Sequence, residues 1–382
     1  MFKNNTKILI ENKLQQLNSC LQQIFNSERI AIKAATCDDI GYTTLNFTTA
    51  GIYHLHGVVI VEGEQMPWSI ILKIIKADSL EKEESTHHNY WQREALVYES
   101  KLLDDLPNSI RAPKCYLIEE QQDNTIWMWM ERVIGRYAEK SEHFDYIARQ
   151  LGRFNGDYLT TKEIPNQEWI CRNWLRSWIT ASRMYAPSLE DYSNSLLNDE
   201  ERNIWDWYQT FSNEIERNLF YLEKLPRVLA HQDMSQMNMF IVENRQLEDE
   251  LVLIDWQFMS ISGVGEDLAK MFGVNMSQGI IPTEKYNIFQ ENLYEAYING
   301  LHDMGWQGNE QQARYGYCIG TALRSVWEVP KYFTLAAQLQ SDKLNQQLQD
   351  SVAQLREIII IQMAMAYEAE NLKENLFERI TH

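Results

Sequence analysis

The chain has 382 residues, with 54 acidic against 35 basic side chains and a formal charge of −19, a balance that argues against a nucleic-acid partner, which needs a basic footprint, and would steer a cationic one. Five cysteines, Cys20, Cys37, Cys115, Cys171 and Cys318, are scattered without a Cys-x-x-Cys pair, which points to a reducing, cytoplasmic setting rather than a disulfide scaffold or a zinc site. The longest apolar run, residues 358–367, contains Gln362 and falls far short of the roughly twenty residues a membrane helix needs; no signal peptide is evident, and the length exceeds what one core fills, so two lobes are expected.

In chain order, residues 43–48 and 52–61 read as the strands of a hairpin turning at Thr49-Ala50-Gly51. No Gly-x-Gly-x-x-Gly occurs there, so Gly51 with the hydroxyls of Thr48 and Thr49 is what remains to cradle phosphate on backbone N–H groups. A second turn over residues 62–67 leads into Trp68-Ser69-Ile70-Ile71-Leu72-Lys73-Ile74-Ile75, a strand with a cation inside it. Such a lysine ordinarily snorkels from an edge. Glu94 follows in the helical pattern of residues 90–99, with Glu99 on another side of that helix as the alternative partner. Residues 124–130 form a strand that breaks at Glu131-Arg132-Val133-Ile134-Gly135, and Phe144, Ile147, Leu151 and Phe154 recur at helical spacing over residues 143–159. Trp169, Trp174, Trp178, Trp205 and Trp207 then crowd one region, an aromatic density that builds core.

Residues 227–230 read as a short strand running into His231-Gln232-Asp233-Met234-Ser235-Gln236-Met237-Asn238. Met239-Phe240-Ile241-Val242 and Leu251-Val252-Leu253-Ile254 flank an acidic, turn-prone stretch, so a hairpin carries Asn238 and Asp255 towards one pole. An aspartate, an asparagine five positions on and a second aspartate closing an apolar strand is the arrangement that phosphoryl transfer from a nucleotide requires. In that arrangement Asp233 would orient the attacking hydroxyl and take its proton, while Asn238 and Asp255 would hold Mg2+. Helices are expected over residues 284–304, 311–339 and 342–378.

With His231, Asp233, Asn238, Asp255-Trp256 and Asp267-Leu268-Ala269 in this order, the chain resembles the aminoglycoside phosphotransferase and choline kinase family. It departs at Gln232, where that family usually has glycine. The resemblance implies an α+β, two-lobed protein-kinase-like fold, with a small β-rich N-lobe over residues 1–132 that carries an N-terminal helical extension, and a large, mostly helical C-lobe over residues 133–382. It implies that Lys73, paired with Glu94, contacts the α and β phosphates of ATP or GTP, that main-chain groups near Met130 and Arg132 hold the base, and that His231 and Asp267 brace the catalytic loop. Inserted helices around the tryptophans and near the C terminus would wall the acceptor pocket. The implied activity is Mg2+-dependent transfer of a γ-phosphate to a hydroxyl of a small molecule, such as an aminoglycoside or other antibiotic. A metabolic kinase for choline, a sugar or an amino-acid hydroxyl is the alternative. A catalytically silent nucleotide-binding regulator is a third reading, against which the full set of Lys73, Glu94, Asp233, Asn238 and Asp255 counts. No Ala-Pro-Glu segment follows Asp255, which disfavours a protein substrate.

Overall fold

The structure, a computed structural model, describes residues 13–41, 48–107, 109–186, 198–244 and 248–378. Helix α1 (Leu14–Phe25) buries Leu17, Cys20 and Leu21 at three- and four-residue spacing and ends at Asn26 in the left-handed region, a conformation asparagine tolerates. Strands β1 (Ile30–Asp39), β2 (Thr49–Val61) and β3 (Glu64–Ile75) follow, then α2 (Arg93–Glu99), β4 (Ile110–Arg111), β5 (Cys115–Glu120) and β6 (Ile126–Glu131). The β2–β3 turn is the dipeptide Glu62-Gly63, both residues at positive φ, the tight turn whose twist suits a two-residue hairpin.

The sheet runs β1-β2-β3-β6-β5, all antiparallel. Its strands alternate with period two. Leu55, Val59, Trp68, Ile70, Leu72, Ile74 and Trp129 face outwards, where Leu17, Cys20 and Leu21 of α1 cover them. Ile75, Met128 and Met130 face the other way and pack with Ala95 of α2 and with Trp91 just before it. Since Lys73 lies opposite Ile52 and Met128, it shares this inner face.

The hairpin expected at the start of the sheet is built differently. Its first strand is Ile30–Asp39, while residues 43–47 lie outside the described residues. Thr49 and Gly51 do not form the turn. Both belong to β2, where Thr49 pairs with Ile75 and Gly51 with Ile74 across a bulge. The reason is that β-branched Thr49 favours an extended backbone and the bulge takes up the awkward Ala50-Gly51 step. β1 therefore ends at Asp39 and β2 begins at Thr49.

The C-lobe holds α3 (Ser141–Thr160), α4 (Trp174–Tyr185), α5 (Asp199–Asn213), α6 (Ile215–Leu222), β7 (Arg227–Ala230), β8 (Met239–Val242), β9 (Glu250–Leu253), β10 (Ser260–Gly263), α7 (Glu266–Ser277), α8 (Tyr286–Asp303), α9 (Glu310–Ala322), α10 (Ser325–Ser341) and α11 (Gln346–Lys373). One large apolar core joins them. Helices α3 and α8 approach so closely that a Cβ at Gly152 would lie 2.1 Å from the Tyr297 carbonyl oxygen, and one at Gly300 would lie 2.0 Å from that of Arg149. Only glycine permits that packing. The single helix expected over residues 311–339 is two, separated at Leu323-Arg324. The break lets α9 pack on α7 and α11 while α10, itself packed on α11, also reaches α4. Among the described residues no helix is long and apolar enough to cross a membrane.

Candidate active site

Lys73 is buried on the inner face of β3, and its ammonium has two carboxylate partners. Glu94 Oε2 of α2 lies 2.5 Å away and Asp255 Oδ1 lies 2.9 Å away. Burial alone would drive the proton off Lys73, but the two carboxylates together hold its pKa above the ordinary lysine value. Glu94 sits deeper still, and burial raises its pKa against the opposing pull of Lys73 and the Trp256 backbone. The expected pair is thus present, and Asp255 makes it a triad.

Arg93, the neighbour of Glu94, fixes the helix that presents this carboxylate. It is fully buried and spends its five N–H donors on main-chain carbonyls, those of Ser85, His87, His88, Trp169 and Gln257. Two of those carbonyls belong to the C-lobe, so the same guanidinium ties α2 to the segment after Asp255. Sequence reading passed over Arg93, because a charged residue at a helix start reads as a solvated one.

The catalytic-loop candidate is held by buried polar contacts. Asp267, in the first turn of α7, accepts the backbone N–H of His231 on Oδ2 at 2.8 Å and that of Gln232 on Oδ1 at 2.9 Å. His231 Nδ1 accepts the N–H of Asp233 at 3.1 Å, while Nε2 faces the Ile254 carbonyl at 3.0 Å. These partners require a neutral ring protonated on Nε2, in keeping with the burial that pulls its pKa down to about 4. Both bracing residues therefore sit where bracing is possible.

Gln232 explains its own oddity. Its φ is 58°, a left-handed conformation that glycine adopts freely and a side chain adopts at a cost. The buried Gln232 side chain donates to the Ser262 hydroxyl at 2.9 Å, which offsets part of that cost.

Asp233 is half-buried, and burial with the nearby Asp255 charge pushes it up to about 6, while Lys270, Asn238 and Lys73 pull the other way. Asn238 donates Nδ2–H to the Asp233 carbonyl at 3.1 Å, and its own carbonyl accepts the N–H of Ile254 at 3.0 Å. With Met239 opposite Leu253 in the β8–β9 pair, Asn238 and Asp255 stand at the same end of the hairpin. Asp255 is itself at positive φ, 63°, which swings its carboxylate out of the strand line. Asn238 Oδ1 and Asp255 Oδ2 accept no hydrogen bond among the described residues. An amide oxygen and a carboxylate oxygen form a hard, oxygen-only donor set, which fits Mg2+.

The model of the phosphotransferase enzyme family (APH) matches residues 58–312 of this chain. The chain belongs to that family. No curated protein sequence matches it. Among solved structures this phosphotransferase is similar to amicoumacin kinase hAmiN in complex with AMP-PNP, Ca2+ and Ami, at 12% identity and TM-score 0.50, over 91% of this chain and 95% of that one. It is also similar to the GDP complex of aminoglycoside 2'-phosphotransferase-IIIa, at 15% identity and TM-score 0.46, over 92% and 99% of the two chains. A choline/ethanolamine kinase family protein from Mesorhizobium loti matches at 12% identity and TM-score 0.46, over 88% and 92%. The fold is accordingly the two-lobed kinase-like one, and the enzyme is a kinase-type phosphotransferase.

Sequence reading also missed Lys270 of this phosphotransferase. It stands three residues beyond Asp267 on α7, one helical turn along and on a neighbouring face. Its ammonium lies 5.0 Å from the Trp174 ring centroid and 5.7 Å from that of Phe258, and makes no hydrogen bond or ion pair within 4 Å among the described residues. Burial lowers it to about 8, and Asp233 is the largest influence holding the proton on. The i+3 spacing from Asp267 was the available signal. Nothing in the sequence, however, set that spacing apart from an ordinary exposed lysine.

The remaining expected positions are spread along the cleft. Met130 is buried opposite Ile71 on the inner face, and Arg132 is exposed just beyond β6. The buried Thr49 hydroxyl has no hydrogen-bond partner among the described residues. Trp174 and Trp178 stack, with centroids 6.1 Å apart, and Trp174 also contacts Phe258, so these rings do line the side of the site that Lys270 occupies. Trp205 and Trp207 pack instead on Phe333 and Phe211.

Proposed function

We propose that this enzyme moves the γ-phosphoryl group of ATP or GTP to a hydroxyl of a small molecule, and that Asp233 is its catalytic base. The observation that carries the reading is the constellation of Lys73 clamped between Glu94 and Asp255, with Asp233 close enough to feel both Asp255 and Lys73. Lys73 binds the α and β phosphates, its aim set by Glu94. Asn238 and Asp255 would hold Mg2+, which would neutralise charge on the phosphates when bound. Asp233 orients the acceptor hydroxyl and takes its proton, and its raised pKa keeps it basic enough for that transfer near neutral pH. The nucleobase lies near Met130 and Arg132, Thr49 and Gly51 at the start of β2 stand by the phosphates, and the lobes divide near residue 132.

The acceptor in this reading is an aminoglycoside or another polar molecule with cationic groups, as the chain's formal charge of −19 favours. Lys270 beside Asp233 keeps those groups away from the hydroxyl under attack. With five free cysteines, the enzyme acts in the cytoplasm. The test is nucleotide consumption, with Mg2+ and ATP or GTP, against aminoglycosides, macrolides, amino alcohols and sugars. Acceptor-dependent consumption that Asp233→Asn lowers by roughly 10²- to 10⁴-fold is the expected result. Consumption that no acceptor accelerates, or that is undiminished in the variant, would overturn the reading.

A further inference from the structure

Among the described residues, one group of histidine, cysteine, aspartate or glutamate side chains converges closely enough to share an ion, and it is not the group assigned to catalysis. Asp38, His54 and His56 bring one ligand atom each to within 4.8 Å of one another. We propose that these three residues bind a divalent transition metal of the zinc class on the inner face of the N-lobe sheet.

The geometry follows from strand periodicity. His54 and His56 are two residues apart on β2, so both rings leave the same face, and Asp38 of β1 lies directly opposite His54. The imidazoles stack with centroids 4.5 Å apart, and His56 Nε2 already meets Asp38 Oδ2 at 2.9 Å. His54 Nε2 is held at 2.8 Å by the Ser69 hydroxyl of β3. A metal taking His54 Nδ1 would leave that bond as the contact that orients a ligating ring through its far nitrogen. All four side chains stand on three hydrogen-bonded strands, so little ordering remains for an ion to impose. Two imidazole nitrogens and one carboxylate oxygen, with a fourth position open, suit Zn2+, Cu2+ or Ni2+, whereas Mg2+ prefers oxygen alone.

The position gives the site a consequence. Asp38, His54, Ile71 and Met130 form one row across the sheet, and the row holding Ile52, Lys73 and Met128 is the next one along. Two residues of strand separate them, about 6.6 Å. A metal on His54 therefore stands over the part of the cleft assigned above to the nucleobase, and it competes with the nucleotide. This second half rests on that assignment, while the metal site itself does not.

Titration of the purified full chain with Co2+, followed by its visible absorption and then by Zn2+ displacement in excess Mg2+, tests the site. One equivalent should bind with the spectrum of low coordination. His54→Ala and His56→Ala should each weaken binding by more than the roughly 10- to 100-fold that loss of an outer partner costs. Asp38→Asn should weaken it less. All three positions are at least partly exposed, and an unchanged melting temperature confirms that the variants fold. Equal affinity in the wild type and all variants would overturn the site. Fluorescent ATP or GTP analogue affinity, measured with and without Zn2+, reads the competition. It should fall with Zn2+ in the wild type and stay constant in His54→Ala; affinity indifferent to Zn2+ in the wild type overturns the competition. An analogue that never binds, beside an intact Co2+ titration, would instead count against the nucleotide reading.

Discussion

Removing Lys73 should harm this protein in a way that depends on pH. In Lys73→Met the carboxylates of Glu94 and Asp255 lose their shared cation, and Glu94 is almost wholly enclosed. Breaking a buried pair by deleting one partner costs about 3–5 kcal/mol, most of it from the charge left behind. At roughly 2.1 cal/mol/K of unfolding entropy per residue, 382 residues give about 0.8 kcal/mol/K, so the melting temperature should drop by roughly 4 to 6 °C. With Lys73 gone, burial leaves the folded-state pKa of Glu94 above its unfolded value. A carboxylate raised in this way destabilises the fold at pH above its folded pKa, and the cost is relieved as the pH falls through it. The deficit relative to wild type should therefore be largest near pH 8 and shrink towards pH 5. Adding Glu94→Gln removes the stranded charge, so the double variant should melt above Lys73→Met alone at pH 8. Differential scanning fluorimetry of the wild type, both single variants and the double variant at pH 5 and pH 8 measures all of this. A deficit independent of pH, or a double variant that melts lower still, would refute the reasoning.

Asp233→Asn should lower turnover on a verified acceptor by roughly 10²- to 10⁴-fold while nucleotide affinity, read by calorimetry, stays nearly constant; a loss of nucleotide affinity would move Asp233 into the metal shell. The rate should fall as the pH drops through about 6, where Asp233 takes up a proton, and again above about 8, where Lys270 loses one. Since Lys270 lowers the Asp233 pKa, Lys270→Met should shift the acid limb of kcat/KM to higher pH and remove the alkaline limb; an unchanged profile over pH 5–9 would dismiss Lys270 from the site. At position 232 the left-handed backbone should make Gln232→Gly close to neutral, the relief of about 1 kcal/mol offsetting the lost Ser262 bond, whereas Gln232→Val should cost about 2–3 kcal/mol. Equal thermal stability of the two variants would show that no strain resides there.

What the sequence determined by itself was local. A continuous apolar run put Lys73 inside a strand, and the two short strands around residues 243–249 put Asn238 and Asp255 at one end of a hairpin, because apolar pattern and turn chemistry are written in neighbouring residues. The helical stripe over Phe144, Ile147, Leu151 and Phe154 was legible for the same reason. Gln232 stood out as a departure, but only its φ of 58° shows why glycine is the usual choice there. Tertiary structure alone decided that β1 is Ile30–Asp39, since nothing in that segment says which strand it will pair with. It alone made Asp255 a second partner of Lys73 across 182 positions of chain, brought the Arg93 donors to carbonyls of both lobes, set Lys270 against Trp174 beside Asp233, and stacked His54 on His56 opposite Asp38. Such contacts depend on strand register and lobe packing, which are settled by the burial of whole faces at once, and no spacing within one segment encodes the neighbour that folding brings from another.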